Sequence, residues 1–261
     1  MLFPTNSASL DRRCAVPWAA LGEVASNDNQ ICITMLTDAN HESRYREARR
    51  IDFSDVLEAT WNNKMKYASK HNYKLLNASS LVDINRPPSW SKILAVQDAL
   101  RRGCHWVFWM DPDSLVMNSE KRIEDIVPGS GDADLIITRD PNGYNAGMWM
   151  VRNSNWTMQF LNDWWSMTSF ILPPGQVRSG DNFALEELLG QKNDRDEHVY
   201  VAPQCAFNSY TWNSVRKNWR KYIWDRQSMV AGMYREGDFV VHFAGMEDKM
   251  AFIQSYEKRA V

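Results

Sequence analysis

The stretch His105-Trp106-Val107-Phe108-Trp109-Met110-Asp111-Pro112-Asp113 runs from an unbroken apolar segment straight into two carboxylates. Large and β-favouring side chains without polar alternation predict a strand covered on both faces, as in the interior of a parallel sheet. Gly103 stands just ahead of it, where a residue closing a helix belongs. That helix is predicted over 90–102 by the spacing of Ile93, Leu94, Gln97 and Leu100, and Pro87-Pro88 breaks the chain before it.

The same pattern repeats outward. Ile31 to Leu36 form a short apolar run that stops at Thr37-Asp38, a buried strand followed by a polar loop. Val56, Leu57, Trp61, Met65 and Ala68 fall near a helical period over 54–70, with Ser54 as N-cap, and Tyr73 to Leu76 reads as a second strand. Further along, strands are expected at 134–138, 144–151, 199–202 and 239–243. Helices are expected at 156–167, opened by Asn155, and at 181–191, with a weakly helical tail from Lys249. Strand–helix alternation predicts an α/β fold with a mostly parallel central sheet. Residues 1–28 mix Pro, Ser, Asn and charge without period and read as an irregular arm. Residues 29–261 read as one domain, without internal repeat or low-complexity segment.

Composition narrows the classes. Of 261 residues 44% are apolar, enough for a sizeable core. Thirty basic residues against 32 acidic ones leave a net charge of −2, which gives no electrostatic case for a nucleic-acid partner. The 12 tryptophans read chiefly as core, although such rings also stack on sugars. Cys14, Cys32, Cys104 and Cys205 form no CxxC motif; Cys32 and Cys104 read as small buried hydrophobes, and no disulfide framework is expected, a single bridge being left open. No apolar run approaches the roughly 20 residues that span a bilayer, and Met1 to Leu10 lack the basic-then-apolar order of a signal peptide. The chain as given reads as soluble.

The chemistry concentrates where the strand at 105–110 stops. In open α/β sheets ligands bind beyond the carboxyl ends of the strands. Two carboxylates spaced i, i+2 on a turn can converge on one hard cation, Mg²⁺ or Mn²⁺, which also takes substrate phosphates. The tripeptide alone is better read as a solvated turn; the buried strand ahead of it shifts the reading to the cation site. In Val240-Val241-His242-Phe243-Ala244-Gly245, His242 is a structural histidine on an apolar strand or, given the carboxylates, a third ligand. Gly245 would let backbone approach a phosphate closely.

Taken in order, Ser89-Trp90-Ser91-Lys92-Ile93, Trp106 to Ser114, Tyr144-Asn145-Ala146-Gly147 through Asn153, Gly180-Asp181-Asn182 and His242-Phe243-Ala244-Gly245 resemble one family over about residues 30–250. It is the galactosyl/mannosyl/xylosyltransferase family of fungal α-mannosyl- and α-galactosyltransferases and plant xyloglucan xylosyltransferases. The resemblance implies a single GT-A (Rossmann-like) domain and a retaining, Mn²⁺-dependent (or Mg²⁺-dependent) transfer from a UDP- or GDP-sugar to a glycan acceptor. It implies that Asp111, Asp113 and His242 hold the metal and that Lys92 meets the donor nucleotide or its phosphates. Thr37 would hold the nucleotide, Asn145 and Gly147 would line the sugar site, and Asp181 with Asn182 would stand beside the reacting carbon. Asp181 also suits the N-cap of the helix that follows it.

Two departures stand out. The family often has two acids followed by Gln where this chain has Gly180-Asp181-Asn182. The family lysine that binds the diphosphate is displaced here to Lys249, two residues late. Gln204, Asn208, Ser209 and Tyr210 resemble a segment near the acceptor, with Trp212, Trp219 and Trp224 nearby for stacking or for the core. The rival readings are a carbohydrate-binding module on the same scaffold and a glycoside hydrolase, whose carboxylates must flank a bond at about 5–9.5 Å. Family members sit in the Golgi lumen behind an N-terminal anchor, so that lumen is the expected compartment if an anchor has been removed, and the cytoplasm otherwise.

Overall fold

Strand β3 (Trp106–Met110) is buried at every position. Val107 and Trp109 face one apolar cluster while Trp106, Phe108 and Met110 face another, so the unbroken apolar run serves two cores through the period-2 alternation of a strand. The computed structural model describes Cys14 and residues 30–48, 54–126, 133–176, 180–192, 197–213 and 230–261. The arm expected over 1–28 lies outside the described residues except for Cys14, as do Trp219 and Trp224.

Around β3 are β1 (Ile31–Met35), β2 (Lys74–Asn77), β5 (Leu135–Asp140), β6 (Gly143–Arg152) and β7 (Val199–Ala202). They form a six-stranded sheet in the order β2-β1-β3-β6-β5-β7. β1 pairs with β2 and β3 in parallel and β5 with β7 in parallel; β6 runs against both its neighbours. The α/β, mostly parallel sheet expected from the sequence is therefore present, with one reversed strand inserted beside β3. Helices α3 (Ser91–Arg101), α4 (Asn155–Ser166) and α5 (Gly180–Lys192) bury Ile93, Val96, Phe160, Trp164, Leu185 and their neighbours on one face. Helix α2 (Ser54–Lys70) covers the other face with Leu57, Tyr67 and Ala68. A short helix, α1 (Arg44–Glu47), lies between β1 and α2.

A second, three-stranded sheet was not expected. Its strands are β4 (Ser114–Val116), β8 (Ser209–Tyr210) and β9 (Val240–His242), in the order β4-β9-β8. Helix α6 (Lys249–Glu257) packs Ile253 with Leu115, Val241 and Phe243 of this small sheet.

Several local expectations are corrected. The N-cap of α4 is Ser154, whose hydroxyl accepts from the Thr157 N–H, and Asn155 is the first helical residue. Met65 is 42% exposed and lies off the buried stripe of α2. The cysteines form two disulfides, Cys32–Cys104 and Cys14–Cys205, with Cα separations of 5.9 and 5.4 Å. Cys32 and Cys104 are buried as expected. Parallel pairing of β1 with β3 brings the chain just ahead of β3 beside β1, a proximity that a 72-residue separation hides.

Candidate active site

Tertiary pairing, rather than any local motif, assembles the cluster. β4 follows Asp113 directly and pairs antiparallel with β9, setting Ser114 opposite His242. The Phe243 N–H donates to the Asp113 carbonyl at 2.9 Å, and the Asp111 N–H donates to the Gly147 carbonyl at 2.8 Å. Each of Asp111, Asp113 and His242 thereby offers one ligand atom, and these atoms lie within 4.8 Å of one another. His242 Nε2 is 3.4 Å from Asp113 Oδ1 and 3.8 Å from Asp111 Oδ2. Two carboxylate oxygens and an imidazole nitrogen thus stand close enough together to share one cation. The mixture of hard oxygen and borderline nitrogen suits Mn²⁺ at least as well as Mg²⁺. The donor set thus fits a divalent ion.

The turn carrying the aspartates is fastened from several sides. The Trp109 indole N–H donates to Asp111 Oδ1 at 2.8 Å, and the Ser114 hydroxyl to the Asp111 carbonyl at 2.7 Å. From α2, the Thr60 hydroxyl and the Lys64 ammonium both donate to the Pro112 carbonyl, at 2.7 and 3.0 Å. The spacing i, i+4 puts both on one side of the helix. Lys64 has no exposed surface, and burial pushes its pKa down to about 7 against the opposing pull of Asp113 and Asp111. No local pattern singles out this lysine, because its role depends on where α2 crosses the turn.

Two more lysines complete the electrostatics. Lys92 Nζ donates to the Ala146 carbonyl at 2.9 Å and lies 3.0 Å from Asp181 Oδ2 and 3.7 Å from Asp111 Oδ1. Burial opposes its charge, but Asp111 and Asp181 outweigh it and hold its pKa above the ordinary lysine value. Lys249, at the start of α6, donates to Asp113 Oδ2. Asp248 caps α6, which brings the first residue of the helix to Asp113. Burial alone would raise the pKa of Asp113; the Lys249 ammonium overcomes this and holds it well below the usual carboxylate range. Asp111 is raised, by burial first, against the lowering effect of Lys92.

β6 is irregular at the site. Ile137 pairs with Trp149 and Arg139 with Tyr144, so Thr138 alone faces residues 145–148. This bulge turns Gly147 toward the cluster. A Cβ on Gly147 would stand 2.6 Å from His242 Cε1 and 2.7 Å from Asp111 Oδ2, so only glycine fits. Asn145 Oδ1 accepts from the Gly147 N–H at 2.9 Å, while its Nδ2 donates to Asp140 Oδ2 and the Tyr210 hydroxyl. Asn182 reaches from α5 to accept from the Ala146 N–H and donate to the Tyr144 carbonyl, at 2.8 and 2.9 Å. Both amides shape the bulge.

Asp181 lies inside the first turn of α5 and is fully buried; Oδ1 accepts from the Ser89 hydroxyl at 2.7 Å. Asp181 is therefore past the N-cap position, and its side chain meets Ser89 and Lys92. Gly180 has a steric cause as well: a Cβ there would lie 2.1 Å from the Phe170 carbonyl oxygen, so the extra acid common in the resembled family has no room on this backbone.

A cleft of about 220 Å³ opens beside the cluster, lined by Thr37, Asp38, Ser89, Lys92, Asp111 and Asp113 among others. At the end of β1, the Thr37 N–H donates to the Ser79 hydroxyl and Thr37 Oγ1 accepts from the Ala39 N–H. Gly245 is exposed, at a φ of +68° that favours glycine, with nothing within 4 Å of a Cβ. Trp212 is 49% exposed, whereas Asn208 is fully buried behind His242. Asn208 thus faces a candidate ligand rather than open surface.

These features describe an α/β domain of the GT-A type in which Asp111, Asp113 and His242, a group that could hold a cation, gather at the carboxyl end of the central strand. The chain matches the galactosyl transferase GMA12/MNN10 family over residues 27–130 and 126–251, and it belongs to that family. A probable α-1,2-galactosyltransferase of Schizosaccharomyces pombe is 26% identical over 242 residues, covering 76% of this chain and 66% of that protein. A probable α-1,6-mannosyltransferase of Saccharomyces cerevisiae is 24% identical over 216 residues, covering 70% of this chain and 53% of that protein. The chain therefore spans between about half and two thirds of the length of these relatives. Among solved structures, a glycosyltransferase involved in glycosylation of the major capsid of PBCV-1 superposes with a TM-score of 0.59 at 14% identity, covering 88% of this chain and 99% of that one. That likeness concerns the fold.

Proposed function

We propose that this chain is a retaining glycosyltransferase that moves a sugar from a UDP- or GDP-linked donor to a glycan acceptor, with Mn²⁺ held by Asp111, Asp113 and His242. The observation that carries the reading is the convergence of those three side chains beside a cleft that also holds Lys92. Family membership and the sugar-transferase names of the relatives support it. A divalent cation in this cluster would balance the charge gathering on a departing diphosphate.

The chain's own residues divide the remaining work. Lys92, kept charged by Asp111 and Asp181, faces the cleft as a cation for the donor phosphates. Lys249 lines the same cleft beside Asp113, and Gly245 would offer bare backbone to a phosphate. Thr37 marks the nucleotide end of the cleft. Gly147 and the bulge held by Asn145 and Asn182 form the wall for the donor sugar. A nucleophile needs an oxygen facing substrate, and Asp181 is buried with Ser89 and Lys92 upon it. Asp181 therefore acts through charge rather than by covalent attack. The acceptor hydroxyl then enters on the face the diphosphate leaves, with the leaving oxygen taking its proton. Trp212 supplies an exposed ring for the acceptor. A hydrolase fits poorly, because Asp111 and Asp113 converge on one point instead of flanking a bond. The two disulfides suit an oxidising compartment.

The test is incubation with Mn²⁺ and a panel of UDP- and GDP-sugars, reading nucleoside diphosphate release. Release from at least one donor is expected, lost in EDTA and in a folded Asp113→Ala variant. Intact sugar binding with no release from any donor would favour the binding-module reading.

A further inference from the structure

The imidazole of His242 has two faces, and the cluster uses only one. Its Nδ1 lies 2.8 Å from Asn208 Oδ1, and both residues are buried. The other end of the amide is also engaged: Asn208 Nδ2 donates to the Thr138 hydroxyl at 2.9 Å. An amide oxygen can only accept, so the ring proton belongs on Nδ1. In the neutral ring the lone pair then sits on Nε2, the nitrogen that faces Asp111 and Asp113. Reversing the amide would set an N–H against Nδ1 and move the ring proton to Nε2, between the two carboxylates. His242 would then be a hydrogen-bond donor to Asp113 and unable to ligate.

We infer that Asn208 is the positioning residue of the cation site: held by Thr138, it fixes His242 in the Nδ1–H tautomer and so presents Nε2 as a ligand. This rests on the reading of Asp111, Asp113 and His242 as a metal site. Outer partners of this kind orient the ring and raise its basicity. The arrangement links three separate elements, Thr138 on β5, Asn208 ahead of β8 and His242 on β9. Tyr210, two residues beyond Asn208, packs edge-on against the His242 ring with centroids 5.7 Å apart and hinders its rotation.

Two readouts test it. Nitrogen-15 NMR of the imidazole rings in the metal-free protein, with His242 assigned by its loss in His242→Gln, should show the Nδ1–H tautomer. Mn²⁺ titration should show affinity falling roughly 10–100-fold in Asn208→Ala. Asn208→Asp, which keeps an acceptor on Nδ1, should stay within a few-fold of wild type. Nε2–H in the wild-type chain, or unchanged Mn²⁺ affinity in Asn208→Ala, would overturn the assignment. If Asn208→Ala fails to fold, the wild-type tautomer and Asn208→Asp still decide. Wild-type protein that binds no Mn²⁺ would instead sink the metal site itself, an outcome distinct from the failure of Asn208 alone.

Discussion

Adding one methyl group at Gly147 should separate the candidate site from the fold that carries it. In Gly147→Ala the new Cβ would lie 2.6 Å from His242 Cε1, 2.7 Å from Asp111 Oδ2 and 3.1 Å from Asn145 Oδ1. Carbon contacts settle at about 3.5–4.0 Å, so one or more of these groups must retreat by roughly 1 Å. His242 is 3% exposed and held at Nδ1, whereas the Asp111 side chain is 27% exposed and has solvent to move into. The strain should therefore fall on Asp111, a candidate ligand. Overpacking of this kind costs about 1–3 kcal/mol. Taken from ligand geometry, that is roughly a 5- to 150-fold loss of Mn²⁺ affinity at 1.4 kcal/mol per tenfold. Calorimetric Mn²⁺ titration measures the loss, and thermal unfolding in EDTA measures what remains for the fold. The expected pattern is weakened metal binding with a small change in the metal-free Tm. Gly190→Ala is the control, since nothing lies within 4 Å of a Cβ there. Wild-type Mn²⁺ affinity in folded Gly147→Ala would refute the placement of the ion between Asp111 and His242.

Three further outcomes are expected. Gly180→Asp, which restores an acid usual in the resembled family, should lower stability without raising turnover, because its Cβ meets the Phe170 carbonyl oxygen at 2.1 Å; a wild-type Tm would contradict this. Lys64 titrates near 7 in the folded chain, against about 10.4 unfolded. The unfolded chain thus binds more protons between those values, and the penalty for burying the charge is full below the folded pKa and fades as pH rises. Lys64→Met should therefore raise Tm more near pH 6 than near pH 10, while loosening the Pro112 contact and weakening Mn²⁺ binding; an equal Tm change at both pH values would refute it. Replacing both Cys32 and Cys104 with Ala opens a cross-link between residues 72 apart and should cost about 4 kcal/mol in denaturant unfolding; a loss below about 1 kcal/mol would show that burial alone holds β1 against β3.

Much of the architecture was legible because it is written in local periodicity. The unbroken run at 106–110 marks a strand between two layers, and the spacing in 54–70 and 91–101 marks helices with one buried face. The Asp111-Pro112-Asp113 turn was legible for the same reason, since its meaning comes from the strand directly ahead of it. β4 and β8 were not, because Ser114–Val116 and Ser209–Tyr210 are too short to establish a period. Both disulfides were missed, as they join chain 72 and 191 residues apart.

What the sequence determined by itself was the longer strands and helices, the sheet class, and the residue types that can hold a cation. Those follow from short-range sterics and apolar pattern, which any window of a dozen or so residues carries. The tertiary structure decided which of those residues meet. His242 reaches Asp113 only because β9 pairs with β4 in a register that sets His242 opposite Ser114. Lys64 reaches Pro112 only because α2 crosses that turn, and Asn208 stands behind His242 only because β8 joins the same small sheet. Such meetings are set by register and packing between distant segments, and no local pattern in the chain encodes them.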